Sequence, residues 1–166
     1  GESIGMRWWL TMWMGCVMMA GCDRAAPPPI AAPLPLSDLW SESLVGRSVR
    51  GRPIQSFVYG TGAGAVLVLG SIHGSEPAGV PLCEQLRAHL LTHPYELAGR
   101  RAVIVPVANP DGLAMGVRRN ARGVDVNRNF ESRNRTNVPK HGAKPLSEPE
   151  ARFIAKLVER YRPSRI

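Results

Sequence analysis

Apolar and polar residues change period several times along this chain of 166 residues. Leu44 to Val49 and Ile54 to Tyr59 alternate and are β-rich, and Arg50-Gly-Arg-Pro53 between them predicts a hairpin turn. Ala65 to Gly70 and Ala102 to Val107 are short continuous apolar runs, the pattern of buried strands. Between those runs, Val80, Cys83, Leu86, Leu90 and Leu91 recur at helical spacing. They predict a helix over 78–91, with Pro77 and Pro81 tolerated near its first turn and His93-Pro94 ending it. Asn109-Pro-Asp-Gly112 is a turn sequence. From Leu113 to Lys144 there is no clear period, and such a long irregular segment inside a compact domain points to function or to disorder. Ser147-Glu-Pro-Glu150 has the form of a capping box, with Ser147 as cap and Glu150 reaching back. Ala151, Ile154, Ala155, Val158 and Tyr161 then line one helical face, and Pro163 ends it. Arg165-Ile166 has the form of another strand's opening. The expected fold is α/β, a mixed, mostly parallel sheet with helices on both faces, C-terminally incomplete.

The first residues change the picture. Met6-Arg7 and the apolar run Trp8 to Ala20 form a charged start and a short hydrophobic stretch. Such a run is too short for a span, which needs roughly 20 residues, and fits a secretory signal. It ends Met19-Ala20-Gly21-Cys22, which resembles a bacterial lipoprotein processing site, with Cys22 as the lipidated residue. An ordinary cleaved signal with an incidental Cys is the alternative. Ala25 to Leu36 is proline-rich and predicts an extended tether. The expected organisation is therefore residues 1–21 as signal with a short upstream extension, 22–43 as lipidated Cys and tether, and 44–166 as the folded part. The expected location is the bacterial cell envelope, with the membrane as partner through the lipid anchor. Cys83, alone in the folded part, is expected to be a small buried hydrophobe, and no disulfide framework is implied.

Net charge is +8, and the only lysines are Lys140, Lys144 and Lys156, so arginine dominates. The arginines bunch between Arg118 and Arg135 with a single aromatic, Phe130, among them, too few for a base-stacking surface. This argues against nucleic acid and for a field that draws a small anionic substrate or an anionic membrane surface. Gly60-Thr-Gly-Ala-Gly64 is not a dinucleotide fingerprint, because a strand rather than a helix follows it.

Candidate chemistry centres on His73-Gly-Ser-Glu76, in a Gly-rich turn at the end of the first buried run. Imidazole nitrogen and carboxylate oxygen are both zinc donors. Two further blocks follow, Asn109-Pro-Asp-Gly112 and Arg118-Arg-Asn-Ala-Arg-Gly-Val-Asp125-Val-Asn127-Arg128-Asn-Phe130. In order and spacing the three blocks resemble the zinc carboxypeptidases, the M14 metallopeptidases, over about residues 44–166. The short connections resemble the bacterial branch of murein peptide amidases.

The resemblance implies a zinc-carboxypeptidase-like fold, a Zn2+ cofactor and hydrolysis of peptide bonds next to a free carboxylate, with cell-wall peptides as substrate. It implies that His73 and Glu76 are zinc ligands and that Asp125 accepts the other ring N–H of His73. Arg118 would stabilise the oxyanion, and Asn127 with Arg128 would clamp the substrate carboxylate. Asn120 and Asn129 are expected to bond loop backbone. Arg119, Arg122, Arg133 and Arg135 are expected to be solvated, and His89, His93 and His141 to lie at the surface. The family also uses a third zinc His and a catalytic Glu, for which these 166 residues offer no matching position, so the chain alone is expected to be inactive. Alternatives are a deacylase of the aspartoacylase and succinylglutamate desuccinylase group, which shares a His-x-x-Glu loop, and a lipid-tethered binding module without catalysis.

Overall fold

A computed structural model of the chain describes residues 43–166. Cys22, the apolar run before it and the proline-rich stretch lie outside the described residues.

The first strands are β1 (Val45–Arg47), β2 (Pro53–Gln55) and β3 (Phe57–Tyr59). β1 and β2 pair antiparallel around the expected turn. The second alternating run does not stay whole. Its first part completes this hairpin and its second part joins another sheet. Ser56, fully buried between the two parts, ties the break to Leu44, which receives its hydroxyl hydrogen and gives back a backbone N–H at 3.0 and 3.1 Å.

The main sheet has the order β3-β5-β4, with β4 at Gly64–Leu69 and β5 at Arg100–Val105. β5 is antiparallel to β3 and parallel to β4, so the sheet is mixed. On the outer side of β4, Leu67 donates its N–H to the Arg165 carbonyl at 3.0 Å, and Val66 bridges Arg165 in parallel. The strand opening expected at Arg165 therefore pairs with β4.

The helices are α1 (Gly79–Thr92), α2 (Pro110–Met115) and α3 (Pro149–Tyr161). Neighbouring residues of β5 point to opposite faces, and two cores result. Val103 and Val105 join Ala65, Leu67 and α3 residues Ala151, Phe153, Ile154 and Leu157. Ala102 and Ile104 join Tyr59 with Cys83 and Leu90 of α1. α1 and α3 thus cover opposite faces of the sheet, which is the α/β arrangement expected. Cys83 is buried, and burial pushes its thiol pKa up, with the nearby Glu84 charge adding to the rise.

Two local expectations are corrected. Asn109-Pro-Asp-Gly112 is not a free turn but the start of α2. Asn109 is the N-cap, its side chain accepts the Gly112 N–H at 2.9 Å, and Pro110 takes the first turn, where a missing N–H costs nothing. The capping box before α3 does not form. Glu148, not Ser147, is the N-cap residue, and it makes no side-chain cap. Ser147 Oγ instead donates to Glu148 Oε1 at 3.0 Å, and Glu150 is drawn away by partners in other parts of the chain.

Candidate metal centre

β4 and β5 run side by side, and their pairing continues past the strand ends. Gly70 donates its N–H to Val105 O at 2.8 Å, and Ala108 and Asn109 donate theirs to Gly70 O and Ser71 O at 2.9 and 3.1 Å. This extension holds the loop after β4 against the loop after β5. Within it Ser71 adopts a φ of +44°, a left-handed conformation costly for a side-chain-bearing residue. Gly74 packs on the first turn of α2 so closely that a Cβ there would lie 1.9 Å from the Gly112 carbonyl carbon. Glu76 N–H donates to His73 O at 3.0 Å, a turn that puts both side chains on one side.

The result is a compact polar cluster. His73 is buried, and its Nδ1 lies 3.1 Å from Glu76 Oε1. Its Nε2 lies 3.2 Å from Asp125 Oδ1. Arg118 spans the two carboxylates, with Nε donating to Asp125 Oδ2 at 2.9 Å and Nη1 at 3.6 Å from Glu76 Oε1. Burial by itself pushes the Asp125 carboxyl up, but the Arg118 hydrogen bond and charge, helped by His73, outweigh it and hold the pKa below the usual carboxylate value.

The cluster fits a cation at one point. Asp125 and Glu76 both accept only, and a neutral His73 has a single ring hydrogen to offer the two of them. With that hydrogen given to Asp125, the Nδ1 lone pair faces the Glu76 carboxylate, and only a positive species between them, a proton or a metal ion, makes that approach favourable. One imidazole nitrogen and one carboxylate oxygen suit zinc. Among the described residues no group of three His, Cys, Asp or Glu side chains gathers to hold a metal, so the fit is that of a two-donor half-site.

The other expected residues are placed less uniformly. Arg128 is half-buried and donates Nη1 to its neighbour's carbonyl, Asn127 O, at 3.2 Å. It lines a basic cavity of about 340 Å3 together with Arg118, Asp125, Lys140 and His141. Asn127 lines a separate apolar cavity of about 510 Å3 beside Phe130, Leu146 and Ile154. Asn127 and Arg128 thus line these two different cavities.

His141 is not a surface residue. It is buried, and its Nδ1 accepts the Thr136 N–H at 3.0 Å. Arg135 is not simply solvated either, since it donates Nη2 to Gly142 O at 2.9 Å. Asn129 does bond backbone, donating to His141 O and Lys144 O at 2.9 and 3.1 Å and accepting from Glu148 N–H at 2.9 Å. Sequence reasoning misses the buried carboxylates Glu148 and Glu150 as part of the site's support. In sequence they carry the form of a capping box, and their true partners are up to 101 residues away.

Mixed sheet, helices on both faces and a His-x-x-Glu loop at the sheet's end together define a zinc-carboxypeptidase-type α/β fold. The sequence profile of Peptidase M14, zinc carboxypeptidase, matches residues 36–165, and the chain belongs to that family. It is 35% identical over 136 residues to murein peptide amidase A of Escherichia coli K12, covering 72% of this chain and 54% of that protein. It is 30% identical over 154 residues to bacteriocin BCN5 of Clostridium perfringens, covering 82% of this chain and 17% of that one. Among solved structures, a carboxypeptidase A from Helicoverpa armigera superposes with a TM-score of 0.66 at 24% identity, covering 76% of this chain and 39% of that one. The murein-tripeptide amidase of Escherichia coli O157 gives 0.50 at 29%, covering 72% and 56%. The chain thus spans about half the length of the murein peptide amidases it matches.

Proposed function

We propose that this chain carries the metal-binding half of an exported zinc peptidase that cleaves peptide bonds next to a free carboxylate, with cell-wall peptides as substrate. The single observation that carries the reading is His73, held by Asp125 at one nitrogen and facing Glu76 with the other. Family membership and the identity to a murein peptide amidase support it.

In this reading His73 and Glu76 hold zinc. When bound, zinc polarises the scissile carbonyl and lowers the pKa of its water. Asp125 keeps the His73 hydrogen on Nε2 and so keeps Nδ1 free to bind. Arg118 sits within reach of the same point and offers a cationic donor where negative charge develops on the carbonyl oxygen. Arg128, half-buried in the basic cavity, offers a guanidinium fork to the substrate carboxylate. A third ligand and a proton acceptor are also required. The described residues place neither at His73.

The test is kinetic and uses the whole protein. Hydrolysis of a peptide with a free terminal carboxylate should far exceed that of its amide. Arg128→Ala should lower kcat/KM by a factor equivalent to roughly 1.5–3 kcal/mol on the acid and leave the amide unchanged. Equal rates on both peptides in the wild type would overturn the clamp.

A further inference from the structure

Two arms of chain carry the groups around His73, one with Arg118 and one with Asp125, and a tight loop joins them. The loop closes at Asn120, whose N–H donates to Val124 O at 2.9 Å while its carbonyl accepts the Gly123 N–H at 3.0 Å. The Asn120 side chain is 2% exposed, and its whole hydrogen-bonding capacity is used. Oδ1 accepts the N–H groups of Arg122 and Val124, both at 3.0 Å. Nδ2 has two hydrogens, and it donates to Glu148 Oε2 at 2.9 Å and Glu150 Oε2 at 3.1 Å.

Both glutamates are themselves anchored. Glu150 Oε1 accepts the Val49 N–H at 3.1 Å, tying in the hairpin turn. Glu148 Oε1 accepts from Ser147 Oγ at 3.0 Å, and its N–H is held by Asn129. Arg122, mostly exposed, lies 3.5 Å from Glu148 Oε2. One amide therefore joins the loop to α3 and, through Glu150, to the β1–β2 turn.

We infer that Asn120 is a positioning residue, whose saturated side chain fixes the Arg118 and Asp125 arms in register and so sets both groups against His73. It is not a catalytic residue, because it is buried and has no capacity left for a substrate. The chemistry singles out asparagine. An aspartate side chain of the same shape would keep the Oδ1 bonds but turn a third carboxylate oxygen toward two others, and alanine would take one donor from each glutamate and the acceptor from two N–H groups. The inference rests on the proposed roles of Arg118 and Asp125 only for its consequence in catalysis. Its geometry stands apart from them.

Reversing the polarity of the network tests it. In Asn120→Asp the two donated bonds are lost. In Asn120→Asp/Glu148→Gln/Glu150→Gln each glutamine amide donates back to the carboxylate introduced in the loop, while the glutamine oxygens keep the bonds from Val49 and Ser147. Long-range proton–nitrogen NMR of the metal-free chain reads two signals, the Arg118 Nε–H hydrogen-bonded to Asp125 and the Nε2–H tautomer of His73. The wild type should show a slowly exchanging Arg118 Nε–H and a single tautomer. Asn120→Asp should speed that exchange at least tenfold and average the tautomers, and the triple variant should restore both signals. A folded Asn120→Asp with both signals unchanged overturns the inference. If the single variant does not fold, the triple variant decides: folding with both signals present supports the inference, and any other result overturns it. No metal, substrate or turnover enters these readings, so they stand or fall separately from the proposed peptidase activity.

Discussion

Arg118 is the residue on which the site's electrostatics turn. It bridges Asp125 and Glu76, and with His73 it holds the Asp125 carboxyl below its usual pKa against the opposing push of burial. A carboxyl with a depressed folded pKa contributes stability that is fully present above its unfolded value, about 3.9, and is lost as pH falls through the folded value. Arg118→Gln removes the main counterweight to burial. The variant should therefore be less stable than the wild type near pH 6, and the difference should shrink as both are acidified below the usual carboxylate range. Urea unfolding followed by circular dichroism at a series of pH values measures this. A difference that stays constant down to pH 2 would contradict it.

At this scale much of the site was legible. His73, Glu76, Asp125 and Arg118 stand in short local motifs, and the structure gathers all four. The supporting groups were hidden because each has a good local alternative. Glu148 and Glu150 fit a helix start, and only the fold shows that Asn120 and Val49 claim them instead. His141 was hidden for a similar reason. A polar neighbourhood suggests solvent, but the Thr136 backbone takes its ring nitrogen inside the loop.

Among the elements, the loop after β4 and the start of α2 act as a pair. Gly74 lets two backbones meet where no Cβ fits. Gly74→Ala should push α2 away from the His73 loop and cost about 1–3 kcal/mol. The urea midpoint should fall with an unchanged slope, the mark of a stability change without loss of cooperativity. An unchanged midpoint would show that the contact relaxes freely. The long strands and helices were readable because their periods are strong. The short pieces were not. The 3-residue β2 and β3 read as one run because alternation alone does not say which sheet a strand joins. α2 has 6 residues, too few for a helical period to declare itself beside the turn signal of Asn-Pro-Asp-Gly.

On the scale of the whole molecule, the peptidase fold is preceded by the residues in which a signal and tether are expected. We propose that Cys22 carries lipid and that residues 25–36 hold the domain off the membrane. Among the described residues no helix is long and apolar enough to cross one. Cys22→Ala should move the protein from the membrane to the soluble fraction of a bacterial cell. Soluble fractionation with Cys22 intact would contradict the tether.

The central claim is that His73 and Glu76 form a zinc half-site, and a zinc titration of the chain followed at the histidine ring nitrogens tests it most directly. Nδ1 of His73 should shift progressively as Zn2+ is added. Nε2–H should remain bonded to Asp125, and Glu76→Gln should weaken the response at least tenfold. The pair of exposed His89 and half-buried His93, stacked 4.3 Å apart, is the internal control for adventitious binding. A response confined to that pair, with His73 unmoved at millimolar Zn2+, would contradict the account.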